Sequence, residues 1–600
     1  MTFSLRPVSR KNILPPLFYL AALLLPCLGA WAAPAPSVAA VMDEVVPKLA
    51  STLTAEELAA LDDAAILALL TPEQRRILAT DYWSFTVNVP VVVSVVRDTE
   101  QKTAPFWLGE AGFTKTGGVV RNDSYTYEVW QKAFPAGPVG LGINGFDRHR
   151  PHYFVGVGPQ QDGGTVEITG AVPGPQEVFQ FAKGATIYHD WPDLVVTEMP
   201  AELAGHLLLP TIRGRAREAQ LIEAFRQTPH PSSATPDMPV LTWGGDPKTT
   251  QTIQWRGAVT EKTSGVVYFR EKAVEGGWST AETESVELLA DRNILNDPRV
   301  MWFTATLRGL KPGTGYEYAI GAADGPGGEF RTAPDGQTPF SFLWMSDTHN
   351  RDESVPLLKT AWEKYPDAAF LTISGDLVGT GQQRDDWDRL FVNYADFLRQ
   401  RPLVPSIGNH DAIDGLGSDL YRSLFRLPDN GPAGCKRGQS YSLRYGNLLL
   451  VSLDVTDDIA AQTAWLDKTL GETDAIWKVA VFHFPPYALD EEYPDIVAEW
   501  GTLFDKHHVD LALSGHVHYY MRTWPTNGGK RVDSPEEGTV YLISVAVSGR
   551  PGPKLRPPRA EVADFSGVPT CQAFIVDGNR LTMNALTPDG AVRDTFTLEK

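Results

Sequence analysis

Apolar and polar positions fall into three textures along the chain. Residues 38 to 80 set Ala and Leu among charges at helical spacing, with a Thr54–Glu57 capping box and a helix start at Thr71-Pro72. From Trp83 the pattern predicts strands at Trp83–Val96, Ser124–Trp130 and His152–Val157, parted by Gly, Asn and Pro turns. A helical stretch over Arg213–Arg226 completes an N-terminal α+β region, residues 38–228. Thr228–Pro236 is a Pro- and Ser-rich linker by composition. Beyond it, Thr252–Trp255, Gly265–Tyr268 and Val300–Leu307 read as strands of a small β-sandwich over 237–334. From 338 to 600, short apolar runs alternate with helical stretches: Phe340–Met345, Ala369–Ile373, Leu403–Ile407, Val479–Phe482 and Asp510–Leu513. Runs of that kind are buried strands of an α/β domain.

Each of these five runs delivers a polar group at its carboxyl end, where ligands collect in such sheets. In order they are Asp347-Thr348-His349, Gly375-Asp376, Gly408-Asn409-His410-Asp411, His483, and Ser514-Gly515-His516-Val517-His518. Carboxylate, amide oxygen and imidazole suit borderline and hard ions such as Mn, Fe, Zn or Ni. No cysteine takes part, which argues against a structural zinc knot. So many donors would crowd one catalytic ion, whereas two ions sharing a carboxylate accommodate them and promote phosphoryl hydrolysis.

This motif set resembles the calcineurin-like metallophosphoesterase superfamily over about residues 338–524. The resemblance implies two divalent or trivalent metal ions. Asp347, His349 and His518 would hold one, Asn409, His483 and His516 the other, and Asp376 would bridge them. His410 would stand beside the pair as a general acid oriented by Asp411. A hydroxide bridging the metals would attack phosphorus, and Arg522 would contact the substrate phosphate. The implied fold is an α/β sandwich of two mixed sheets flanked by helices.

A narrower resemblance, to purple acid phosphatases, covers about 237–600. Ala305–Tyr318 and Phe330–Pro334 are similar to a fibronectin type III-like domain, and Asp246-Pro247 leading to Ile253-Gln254-Trp255 looks like the domain preceding that family's catalytic half. Tyr441–Asn447, Leu453-Asp454, Gln462–Leu466, His483–Tyr487, His516–Thr523 and the tail strands Cys571–Phe574 and Asp594–Leu598 follow the same pattern. Two positions depart from it. Gly379 stands where that family carries a tyrosine ligand, and His349 supplies an imidazole that it lacks. These departures predict a centre that is not purple. Tyr487 is expected to pack beside the site rather than act in it.

Composition narrows the setting. The 600 residues amount to several domains, and a net charge of −20 argues against a nucleic acid-binding surface. Arg6, Arg10 and Lys11 before the apolar Leu17–Leu25, with Ala30-Trp31-Ala32 beyond, predict a signal peptide over 1–32. The mature protein would then be periplasmic or secreted, with no membrane contact after cleavage. Export would leave Cys435 and Cys571, an even pair open to bridging. His149, His152 and His189 are expected to be structural or surface residues. The functional expectation is a phosphomonoesterase; a phosphodiesterase on the same site, or a non-catalytic surface-binding protein with a vestigial site, are the alternatives.

Overall fold

The computed structural model describes residues 37–600 except 150, 162, 173–176, 190, 213–217, 262–263, 273–276, 413–416, 490–492 and 550–557. The expected leader lies outside the described residues. Among the described residues, no helix is long and apolar enough to cross a membrane.

The N-terminal region opens with helices Val38–Thr52, Ala55–Ala59, Asp63–Leu69 and Pro72–Thr80. Both starts read from the sequence are formed: the Thr54 hydroxyl and Glu57 carboxylate cap each other's backbone, and Pro72 opens its helix behind Thr71. The expected strand Trp83–Val96 is two strands, Trp83–Val87 and Val91–Asp98, in different sheets. Pro90, which has no N–H to give a ladder, sits in the break. His152 is buried and stacked on Tyr82 at 5.1 Å, while His149 lies 2.9 Å from Asp98. Ring stacking accounts for His152, and the contact with a buried carboxylate for His149.

The expected helix Arg213–Arg226 is a correction. Residues 213–217 lie outside the described residues; the described part, 218–226, is not an α-helix but a 3-10 step at 218–219, a turn at 222–224 and an isolated bridge of Arg226 with Ile294. At its end the backbone bonds to a neighbouring segment: Arg226 N–H donates to Asn293, and Leu295 N–H donates back to Arg226. The following linker is pinned in the same way. Asn296 exchanges two 2.9 Å hydrogen bonds with the Thr228 backbone, and Asp297 accepts from Ser232.

Residues 237–331 form two four-stranded antiparallel sheets. Trp255, Phe303, Leu307, Tyr318 and Phe330 fill the space between them. A buried ion network joins this sandwich to the next domain: Arg256 lies 2.8 Å from Asp237 and 2.9 Å from Asp388.

The C-terminal domain stacks two mixed sheets. In one, Leu403–Ser406, Ala368–Ser374 and Phe340–Met345 run parallel, and Cys571–Asp577, Arg580–Leu586 and Val592–Glu599 extend the sheet antiparallel. In the other, Leu448–Ser452, Trp477–Val481, Leu511–Ser514 and Val540–Ile543 are parallel neighbours. Alternation explains why these runs are apolar throughout. Val479, Val481, Leu511 and Leu513 face the first sheet, while Ala480, Phe482 and Ala512 pack under Leu466, Trp500 and Phe504. With both faces covered, the strands are rigid, and their carboxyl ends are fixed points from which loops can aim ligands. Cys435 and Cys571 are free thiols in this fold, so the bridging considered above is not formed.

Candidate metal centre

The loops leaving the strand ends are unusually constrained. Asp347, His349, Asn350, Asp376, His516 and His518 all have positive φ, between 44° and 72°. Side chains with a Cβ rarely adopt this left-handed backbone, and where they do the surroundings must hold it. The motif glycines are explained by space rather than by φ alone. A Cβ at Gly408 would lie 2.2 Å from both the backbone nitrogen and Oδ1 of Asp376, and one at Gly515 would lie 2.2 Å from Asp347 Oδ2. The backbone therefore passes directly against the two carboxylates.

These turns bring the expected donors to one place. His518 Nε2 lies 3.3 Å from Asp347 Oδ1 and 3.2 Å from His349 Nε2. His349 Nε2 is 3.8 Å from Asp376 Oδ2, and His483 Nε2 is 3.3 Å from the same oxygen. Asn409 Oδ1 stands 3.1 Å from His483 Nε2. Asp347, His349 and His518 form one ligand-capable group, and Asp376, His483 and His516 form another. A third, His349 with Asp376 and His410, brings His410 to the same cluster.

The outer partners fix how these rings point. His483 Nδ1 donates to the Ser374 carbonyl at 2.9 Å, which leaves Nε2 directed inward. Asp347 is locked by the His516 backbone N–H, 2.9 Å from Oδ2, and Asp376 Oδ1 accepts the His410 backbone N–H at 2.8 Å. Burial alone would raise both carboxylates, but the adjacent histidines hold Asp347 and Asp376 below the usual range. Burial lowers His349 to about 4, so its imidazole is neutral near pH 7 and able to act as a ligand. For His483, Asp376 and Asp347 outweigh burial and push the ring up to about 9. Two buried carboxylates that draw imidazolium charge to themselves form a site built for cations. The donor set and its convergence fit a metal pair.

His410 departs from expectation in its support. Its Nδ1 donates to the Gly379 carbonyl at 2.8 Å, and its ring meets His349 edge to face at 4.8 Å. Asp411, expected to orient it, is turned elsewhere: its carboxylate accepts the Gly408 N–H at 2.9 Å and the Val378 N–H at 3.2 Å. Asp411 thus staples two ligand loops together, and the Gly379 carbonyl orients the ring. Sequence reading could not find that group, because every residue carries a carbonyl.

Arg522 is a second correction. It is buried in the strand Tyr520–Thr523, with Nε 2.7 Å from Asp594 Oδ2 and Nη1 paired to Glu561. Three of its five N–H donors go to these two carboxylates and the side chain is buried, so the guanidinium serves this ion cluster rather than the expected contact with substrate phosphate. Tyr487 packs edge-on against Tyr541 at 4.9 Å under the Arg559 guanidinium, a packing role as expected.

Comparison with known proteins agrees with this geometry. Residues 340–520 match the calcineurin-like phosphoesterase model, and residues 236–338 match the purple acid phosphatase N-terminal domain model. An uncharacterized protein of Mycobacterium tuberculosis is 29% identical over 346 residues, 49% of this chain and 63% of that protein. Purple acid phosphatase 18 of Arabidopsis thaliana is 27% identical over 244 residues, 37% of this chain and 53% of that protein. The chain thus spans less than two thirds of the relatives it matches. The structure of a purple acid phosphatase from yellow lupin (Lupinus luteus) seeds superposes with a TM-score of 0.54 at 14% identity, covering 87% of this chain and 91% of that one. Residues 236–520 of the chain therefore carry a purple acid phosphatase N-terminal domain followed by a calcineurin-like phosphoesterase domain.

Proposed function

We propose that the chain is an exported, dinuclear metal-dependent phosphoesterase acting on phosphomonoesters. The observation that carries this reading is the convergence of Asp347, His349, Asp376, Asn409, His483, His516 and His518 at five strand ends, with His410 beside them and bonded to a carbonyl. In this reading Asp347, His349 and His518 would hold one ion, Asn409, His483 and His516 would hold the other, and Asp376 would be shared by the two. When bound, the pair supplies a nucleophile from water at neutral pH and neutralises charge on the phosphoryl oxygens. The protein contributes orientation. The Ser374 carbonyl fixes the His483 tautomer, and the Gly379 carbonyl fixes that of His410. With its Nδ1 proton held by Gly379, His410 presents Nε2 toward the cluster, where it delivers a proton to the leaving oxygen. The sandwich over 237–334 is read as fibronectin type III-like, and the basic and apolar start of the sequence, 1–32, supports reading the mature protein as periplasmic or secreted.

The test is hydrolysis of a panel of phosphomonoesters and phosphodiesters by protein reconstituted with Fe, Mn, Zn or Ni. Preferential turnover of monoesters is expected. Turnover of diesters alone would replace this reading with that of a phosphodiesterase, and no turnover with two metals bound would refute hydrolysis altogether.

A further inference from the structure

The loop that holds His410 is short and tied at both ends. Gly379 accepts from His410 Nδ1, and Gly381 N–H donates to the His410 carbonyl at 2.8 Å, so residues 379–381 clasp both ring and backbone. Between them, the Thr380 carbonyl accepts the Gln383 N–H at 2.9 Å, Trp387 Nε1 donates to the Gly381 carbonyl at 2.9 Å, and a Cβ at Gly379 would meet Asp386 Oδ2 at 3.4 Å. Asp386 lies in the first turn of the helix Arg384–Asn393, beside Asp385. Asp385 is gripped from a different domain: Arg226 Nε lies 3.1 and 3.0 Å from its two oxygens, and Nη2 lies 2.9 Å from Oδ1. The same Nη2 reaches Asp291 of the sandwich at 2.5 Å, and Asp291 Oδ2 accepts the Arg384 backbone N–H at 3.2 Å. One guanidinium therefore fastens the end of the N-terminal region, the sandwich and the helix that terminates the His410 loop.

We infer that Arg226 is a positioning residue for the proton donor. By fixing the first turn of Arg384–Asn393, it keeps the 379–381 clasp, and hence the His410 ring, in register with the metal ligands. This gives the N-terminal region, which otherwise has no assigned role, a part in catalysis at a distance. The inference rests on the reading of His410 as general acid. A planar fork suits the task because its several donors restrain both direction and distance, which a lysine ammonium does not.

The experiment compares Arg226→Met and Arg226→Lys with the wild type, each full-length and loaded with the same metal. Three readouts are taken: metal content, kcat on an alkyl phosphate and on nitrophenyl phosphate, and hydrogen–deuterium exchange of peptides covering 377–383. Arg226→Met is expected to keep two metals and to exchange faster over 377–383. It should lose about tenfold in kcat on the alkyl phosphate, whose leaving group needs the proton, and less than about twofold on nitrophenyl phosphate. Arg226→Lys should recover part of the loss. Unchanged exchange over 377–383, or an equal loss on both substrates, would overturn the inference, since a purely structural residue has no leaving-group preference. If Arg226→Met does not fold, Asp385→Asn, which keeps the size of the partner, is expected to give the same pattern. A wild type that hydrolyses neither substrate would sink the phosphoesterase reading, and exchange over 377–383 alone would then decide whether Arg226 holds the loop.

Discussion

Replacing Gly408 by alanine is the most exacting test of the centre, because the perturbation is one methyl group with a known landing place. Its Cβ would stand 2.2 Å from the Asp376 backbone nitrogen and 2.2 Å from its Oδ1. Ordinary contact begins at 3.4 Å, so the two segments must part by about 1.2 Å, the difference between those distances. Neither can yield freely. Asp376 Oδ1 accepts the His410 N–H at 2.8 Å, and the Asp376 carbonyl accepts the His349 N–H at 2.9 Å. The displacement therefore falls on the carboxylate proposed to touch both ions and on its two histidine neighbours. A misplacement of about 1 Å in an active site costs on the order of 100-fold in rate, equivalent to about 2.7 kcal/mol of transition-state stabilisation. Gly408→Ala should thus lose at least that factor in kcat/KM on nitrophenyl phosphate and bind the second metal weakly. Gly379→Ala is the matched control. Its Cβ would meet Asp386 Oδ2 at 3.4 Å and Asn350 Oδ1 at 3.8 Å, ordinary contacts, so near-wild-type activity is expected. Initial rates and metal content by mass spectrometry on both variants decide the matter. A Gly408→Ala protein with two metals and a rate within about threefold of wild type would refute the reasoning.

Three further outcomes are expected. His410→Ala should retain both metals and lose roughly 10²–10⁴-fold on an alkyl phosphate but far less on nitrophenyl phosphate; steady-state rates on the two substrates check it, and loss of a metal would show His410 to be a ligand. Arg522→Met removes the cation from buried Asp594 and part-exposed Glu561, so it should cost about 3–5 kcal/mol in denaturant unfolding, chiefly through Asp594. Any folded fraction should retain the wild-type KM, because Arg522 makes no substrate contact. Iron-loaded protein should show no strong tyrosinate-to-iron absorption in its visible spectrum, because Gly379 offers no phenolate; a strong band would mean that another tyrosine reaches the metal.

Much of the centre was legible because chemistry and topology coincide in it. Each ligand follows a doubly buried apolar run, so residue type and strand position point to the same end of the sheet. The misreadings share a different cause. Arg522 has the donor geometry of a phosphate clamp, but its partners Glu561 and Asp594 are 39 and 72 residues away, and no local pattern announces them. Asp411 adjoins His410 in sequence, yet the turn sends its carboxylate to Gly408 and Val378. The stretch before Arg226 has good helix formers, and tertiary pairing with 293–295 overrides that weak preference. The carbonyls of Ser374 and Gly379 orient two rings without any side chain to read.

Left-handed backbone at Asp347, His349, Asn350, Asp376, His516 and His518 also bears on how the centre comes into being. A free chain seldom visits such conformations, each of which costs on the order of 1–3 kcal/mol. A peptide bearing Gly-His-Val-His alone would therefore hold no ion pair in this arrangement, and the motifs cannot seed the domain that contains them. The turns depend on the sheets that hold them, so the centre is expected to be the first part of this domain to loosen on unfolding. Loss of metal affinity should accordingly precede loss of strand structure as the protein is heated.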